Sequence, residues 1–341
     1  MDTKQESSFE PTETWQLDEP LEPYITKARS EMNRKDPKKL IEDLQRQVKK
    51  SENGITYAVM KGENPEEYSD SEALVMFNPF ANAATPNMLV RTEFLREVAK
   101  YADIRDADGK LKPVVMLASP GIKGSTLKLS SDERQQIREG DLGPAAKELL
   151  HTISATEIGK ISLLGYSQGA DMALAGTITA YESNLDSQAL AIGDPAGVND
   201  RGLKSLAVDF LGGPSLKPSI DRADLDAQKE SVGRGRFEGP RFIASVMTSP
   251  VNNLDLILGM SKSSFEKQMQ EVIDEGLVEK AIVGYGADSK ITQPSMIEPS
   301  LKRLHAWDEE GILSSVKLVK GNHTWGDQLT LLAKLYFRAI K

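Results

Sequence analysis

The chain is 341 residues long, with 39% hydrophobic and 27% charged residues, enough apolar material for a sizeable core and enough charge to hold it in solution. Its 51 acidic against 42 basic side chains leave a formal charge of -9, which argues against nucleic acid or anionic lipid as a partner. Cysteine is absent, so disulfides, thiolate metal sites and a cysteine nucleophile are excluded together. The opening MDTKQESSFEPTE is acidic and polar where a secretory signal would be basic and then apolar, and no stretch reaches the ~18 apolar residues of a membrane span. A soluble, cytoplasmic protein is expected.

Residues 1–24 are rich in Glu, Thr, Pro and Ser and read as a tail. Leu40, Ile41, Leu44 and Val48 recur at helical spacing in KKLIEDLQRQVKK, so residues 1–50 are expected to hold a polar tail and one amphipathic helix. ITYAVM at 55–60 suggests an antiparallel edge strand. Six short apolar runs then follow at 73–77, 114–118, 161–165, 189–193, 281–286 and 316–321. Runs apolar throughout, without polar alternation, suit strands covered on both faces. Helical patterns lie between them at about 86–102, 132–153, 169–183, 297–310 and 325–340. This alternation predicts an α/β protein with a mostly parallel, doubly wound sheet. Residues 198–279 separate two strands by far more than one helix requires, and are read as an inserted helical cap between a first core part, 51–197, and a second, 280–341. Within that insertion GRGR reads as a solvated loop and LDLILGM, 254–260, as cap core.

One stretch carries chemistry. GKISLLGYSQGADMALAG, 159–176, passes from a buried strand to a helix through Ser167, which Gly165 and Gly169 flank. A nucleophile elbow has this order of strand, sharp turn and helix, and the helix N-terminus favours an oxyanion formed beside the serine. The glycines would be required because a Cβ at either position would press on the turned backbone. The plain alternative is a strand-to-helix turn with Ser167 as an N-cap.

A serine hydroxyl needs a base, usually a histidine oriented by a carboxylate. Only His151, His305 and His323 are present. His151 precedes the serine, and His305 falls within a helical pattern, SLKRLHAWDEE. His323, in LVKGNHTWGD, follows the last strand on a loop at a strand's C-terminal end, where the sites of open α/β sheets collect. The acid is Asp288, in IVGYGADSKITQP, or alternatively Asp194, in IGDPAG, whose plain reading is a turn residue before Pro195.

Together these segments resemble the α/β-hydrolase superfamily over about residues 55–341. GYSQG at 165–169 looks like the elbow, GADSKITQP and GNHTW resemble the acid and histidine loops, and Asn78-Pro79-Phe80 stands where the family commonly has His-Gly and an oxyanion residue. SPGIKGS at 119–125 is similar to the family's Asp-x-x-Gly-x-Gly-x-Ser loop, with Ser119 in place of the aspartate. The resemblance implies a carboxylesterase-like serine hydrolase acting on a small-molecule acyl substrate. Ser167 would be the nucleophile, His323 the base and Asp288 the acid; the backbone N–H groups of Phe80 (or Ala81) and Gln168 would form the oxyanion hole. It calls for no metal and no organic cofactor. The competing class is a hydrolase-like module that binds a ligand or a protein without turnover.

Overall fold

The computed structural model describes residues 9–16, 20–79, 86–119, 125, 127–198, 250–321 and 329–341. Its strands are β1 (Glu13–Trp15), β2 (Val48–Lys50), β3 (Thr56–Met60), β4 (Glu72–Phe77), β5 (Val114–Leu117), β6 (Lys160–Tyr166), β7 (Asp186–Gly193), β8 (Lys280–Gly286) and β9 (Leu313–Leu318). They form one sheet in the order β1-β9-β8-β7-β6-β4-β5-β3-β2. Pairings from β1 across to β5 are parallel, and β3 and β2 complete the far edge antiparallel. The helices are α1 (Pro23–Arg34), α2 (Pro37–Arg46), α3 (Pro86–Tyr101), α4 (Ser131–Glu139), α5 (Gly143–Ser154), α6 (Gln168–Thr179), α7 (Pro250–Lys262), α8 (Phe265–Asp274), α9 (Pro294–Trp307) and α10 (Leu329–Ile340).

Both sheet faces are covered, and the period of two along each strand sorts the apolar residues between them. Ala73, Val75 and Phe77 of β4 join one buried cluster with Leu149 of α5, Ala173 of α6 and Met269 of α8. Leu74 and Met76 join the other, with Met32 of α1, Phe94 of α3 and Leu335 of α10. The first five apolar runs of the sequence are therefore strands with two dry faces, as expected of a doubly wound sheet; the sixth, 316–321, is strand only to Leu318, because β9 begins at Leu313 and the chain turns at 319–320.

Several elements differ from the sequence reading. Residues 13–15 are an edge strand parallel to β9, with Trp15 buried beneath α10 and Lys334 Nζ 4.3 Å from its ring centroid. The strand at 56–60 is one place in from the edge, because β2 pairs outside it. The single helix expected over 132–153 is two, broken at Gly140, whose φ of 108° ends α4. Residues 199–249, most of the expected insertion, lie outside the described residues. Its later part, α7 and α8, packs into the first cluster through Leu256, Met260, Phe265 and Met269.

The topology fixes where a site can form. From β4 the chain moves outward to β5, returns to β6 on the other side of β4, and then continues outward through β7, β8 and β9. The direction of winding thus reverses between β4 and β6, and the strand C-terminal ends there border the crevice that open α/β sheets use for ligands.

Candidate active site

Ser167 stands at that crevice, between the last residue of β6 and the first of α6. Its backbone is at φ 55°, ψ −128°, a conformation that side-chain-bearing residues rarely adopt and that the surrounding structure must hold in place. Its N–H donates to Gly193 O of β7 at 2.9 Å, and its carbonyl accepts from Ala170 N at 2.8 Å, so both flanks of the turn are fixed. The plain N-cap reading does not describe it, since an N-cap has extended φ and ψ and its side chain caps the helix, whereas the Ser167 side chain makes no capping hydrogen bond.

The flanking glycines are there for space. A Cβ on Gly165 would sit 2.0 Å from Gly169 O, and one on Gly169 would sit 2.2 Å from Phe77 O. Every obstructing atom is backbone, so the closeness of β6, α6 and β4 depends on both residues being glycine.

Gln168 opens α6, and its N–H is one of the helix N-terminal amides that have no acceptor within the helix. Its side chain is fully buried, with Oε1 accepting from Ser119 Oγ at 3.1 Å. Gln168 Nε2 and both polar atoms of the Asn78 carboxamide are buried and have no hydrogen-bond partner among the described residues. Asn78 follows β4, whose Phe77 pairs with Gly165, so these carboxamides flank the elbow strand. Phe80, the other expected oxyanion donor, and its neighbour Ala81 lie outside the described residues.

The acid candidates end neighbouring strands. Asp194 directly follows β7; it is fully buried, with φ 48°, and its carboxylate accepts from Gly286 N at 3.0 Å and Ser289 Oγ at 2.7 Å. Asp288, two residues beyond β8, is exposed, and its N–H donates to Gly321 O at 2.8 Å. The loops after β8 and β9 therefore touch, and Gly321 stands two residues before His323, which lies outside the described residues.

The other histidines are engaged elsewhere. His305 Nε2 is 3.0 Å from Ser315 Oγ, and its ring stacks on Phe9 with centroids 5.9 Å apart. Ser315 pairs with Val283, Val283 with Ile192 and Ile192 with Gly165, which puts His305 beside a strand three places from β6, about 14 Å at ordinary strand spacing. Burial also holds its imidazole below the usual range. His151 is exposed on α5, with Nδ1 3.8 Å from a Glu148 oxygen.

One residue at this site went unremarked in the sequence. Asp171, in the first turn of α6, is buried and accepts from Ala196 N at 3.2 Å and Gly197 N at 3.0 Å. Burial pushes its carboxyl up to about 7, with the two amide hydrogen bonds opposing the shift. A lone acid inside the apolar run ADMALAG was the available signal. Among the described residues no three His, Asp or Glu side chains gather as a metal site, and no helix is long and apolar enough to cross a membrane.

No family model matches the sequence, and no curated protein matches it. Among solved structures the chain is similar to a marine microorganism esterase at 12% identity, with 84% of this chain and 98% of that one covered and a TM-score of 0.49. It is similar to a carboxylesterase of the thaumarchaeon Nitrososphaera gargenis at 13% identity, covering 82% and 92%, with a TM-score of 0.47. A third likeness is to the enol-lactonase of Burkholderia xenovorans, at 14% identity, 84% and 98% coverage and a TM-score of 0.46. The mostly parallel, doubly wound sheet, its reversal between β4 and β6, and the strand–turn–helix at Ser167 give this chain the α/β-hydrolase fold.

Proposed function

We propose that the chain is a serine hydrolase that cleaves a carboxylic ester, or a thioester or amide, of a small-molecule acyl substrate through an acyl-enzyme on Ser167. The observation that carries this reading is the backbone of Ser167 at φ 55°, ψ −128°, held on a turn that two sterically required glycines make possible. A hydroxyl presented on such a turn is poised for attack, and no simpler role of the residue calls for that strain.

In the proposed reaction Ser167 Oγ attacks the acyl carbonyl while His323 takes its proton. The negative charge developing on the carbonyl oxygen is met by the N–H groups of Gln168 and Phe80 at the positive end of α6. His323 then returns the proton to the departing alkoxide, thiolate or amine. Water, deprotonated by the same histidine, attacks the acyl-enzyme and releases the acid. Asp288 orients His323 and stabilises its charged form, with Asp194 as the alternative. Acyl selection is assigned to the part of the expected insertion that precedes α7, on the reading of that segment as a cap, since α7 and α8 pack into the core.

Hydrolysis of a series of p-nitrophenyl acyl esters tests this. Wild type should turn over at least one member, and Ser167→Ala and His323→Ala should each lose on the order of 1000-fold or more. Turnover by Ser167→Ala at the wild-type rate would end the assignment; folded wild-type protein inert to the whole series would favour the binding-module reading.

A further inference from the structure

We propose that Asp194 is a positioning residue whose buried carboxylate clamps both ends of the turn that presents Asp288. The proposal rests on the reading of Ser167 as nucleophile and Asp288 as the acid. Residues 286–289 form a β-turn, closed by Ser289 N donating to Gly286 O at 3.1 Å, with Ala287 and Asp288 at its two central positions. Asp194 spans the turn from beneath. Its Oδ1 accepts from Gly286 N at the first position and its Oδ2 from Ser289 Oγ at the last, at 3.0 and 2.7 Å.

The clamp is reciprocal and wholly buried. Asp194 N donates to Gly284 O at 2.7 Å, Ser289 Oγ accepts from Thr292 N at 3.1 Å, and Thr292 Oγ1 donates to Pro195 O at 2.7 Å. Asp194, Ser289 and Thr292 are each at most 3% exposed, so water does not compete for these bonds. The loop after β7 is in turn fastened to the nucleophile helix, because Ala196 N and Gly197 N donate to Asp171. A continuous chain of hydrogen bonds thus runs from α6, which begins beside Ser167, through Asp171 and the 194–197 loop to the turn carrying Asp288. From there Asp288 N reaches Gly321 O on the way to His323.

This arrangement divides the work between two carboxylates that the sequence alone leaves as alternatives. Asp194 spends an oxygen on each end of a turn, whereas the exposed Asp288 carboxylate is carried at that turn's crest. The left-handed φ of Asp194, 48°, fits the role, since backbone strain of this kind gathers at functional sites.

The test compares Asp194→Asn, Asp194→Ala, Ser289→Ala and Asp288→Asn by kcat, KM and the pH profile of kcat/KM on a turned-over ester, with fluorophosphonate labelling alongside. Asparagine keeps one acceptor for Gly286 N–H and can still pair with the Ser289 hydroxyl. Asp194→Asn should therefore stay within about 10-fold of wild type, with the base's apparent pKa unmoved. Asp194→Ala should lose about 100-fold in kcat at nearly constant KM, as expected for misplacement of the reacting groups. Ser289→Ala, which leaves Asp194 in place, should show a smaller loss of the same kind and keeps the test informative if Asp194→Ala does not fold. Asp288→Asn should lose on the order of 10000-fold and shift the pH profile. If Asp194→Asn were as inactive as Asp288→Asn is expected to be, or moved the pH profile, Asp194 would be the acid and the proposal overturned. It would also be overturned by wild-type kcat in both Asp194→Ala and Ser289→Ala. Absence of labelling in folded wild type would instead remove the underlying reading.

Discussion

Gly169→Ala is the sharpest perturbation that the elbow offers. The added Cβ would sit 2.2 Å from Phe77 O and 3.0 Å from the Asn78 carbonyl carbon. Real Cβ contacts essentially never fall below 3.0 Å, so α6 and β4 must separate by at least 0.8 Å, the difference between 3.0 and 2.2 Å. Overpacking of this kind costs about 1–3 kcal/mol, and replacing a helical glycine by alanine returns up to about 1 kcal/mol. The net loss of stability should be at most about 3 kcal/mol. The effect on chemistry should be larger, because the first turn of α6 carries Ser167 and the Gln168 N–H, and a displacement near 1 Å costs about 100-fold in rate. Urea unfolding and the second-order rate of fluorophosphonate labelling read the two effects separately. Gly176→Ala, in the same helix, is the control: the nearest obstruction is the Phe77 ring at 3.2 Å, which can shift. Its labelling rate should match wild type. A wild-type labelling rate in a folded Gly169→Ala variant would refute the steric account of the elbow.

Asp255 of α7 is 1% exposed and binds Arg134 Nε and Arg138 Nε of α4 at 2.8 and 2.5 Å. Both arginines can rehydrate once freed, so Asp255→Ala should cost about 2 kcal/mol in urea unfolding, below the range for a fully buried pair. Arg96, between Glu93 and Glu97 at 2.8 and 2.5 Å, is buried together with both acids. Arg96→Ala leaves those carboxylates Lys35 as their one cation among the described residues and should cost about 3–5 kcal/mol; a loss under 1 kcal/mol would show that the cluster reorganises. Asp171 carries a pH signature: its folded carboxyl, at about 7 against 3.8 for an ordinary aspartate, keeps its proton in a range where the unfolded chain has lost it. Its contribution is thus fully present below about pH 4 and is lost as pH rises to about 7, to the extent of roughly 4 kcal/mol. Denaturant titrations should show wild-type stability falling across that window relative to Asp171→Asn; parallel curves would exclude the shift.

The sheet was legible because β4 to β8 are buried on both faces, and a strand with two dry faces leaves an uninterrupted apolar run. The elbow was legible because a strained serine needs glycines where a Cβ would strike backbone. Strand β1 left no such trace, since three residues gain their order from the edge of β9 and the packing of Trp15, both remote in sequence. Helix α1 did leave one, in Ile25, Ala28 and Met32, but its charged face hides so narrow an apolar stripe. The break between α4 and α5 was also written in the chain, as Gly140 in a left-handed conformation and Pro144 early in α5. What the sequence could not give is the partnership of Asp194 with Gly286 and Ser289. That bond joins residues more than 90 positions apart, and an aspartate before a proline looks alike whether it caps a turn, clamps a loop or orients a histidine.

The most direct measurement is intact-mass analysis of the folded protein after exposure to a fluorophosphonate, followed by peptide mapping, for wild type and Ser167→Ala. One adduct on wild type, located on Ser167, and none on the variant is the expected result. An adduct at another residue, an equal adduct on Ser167→Ala, or none on folded wild type would contradict an activated serine at the elbow.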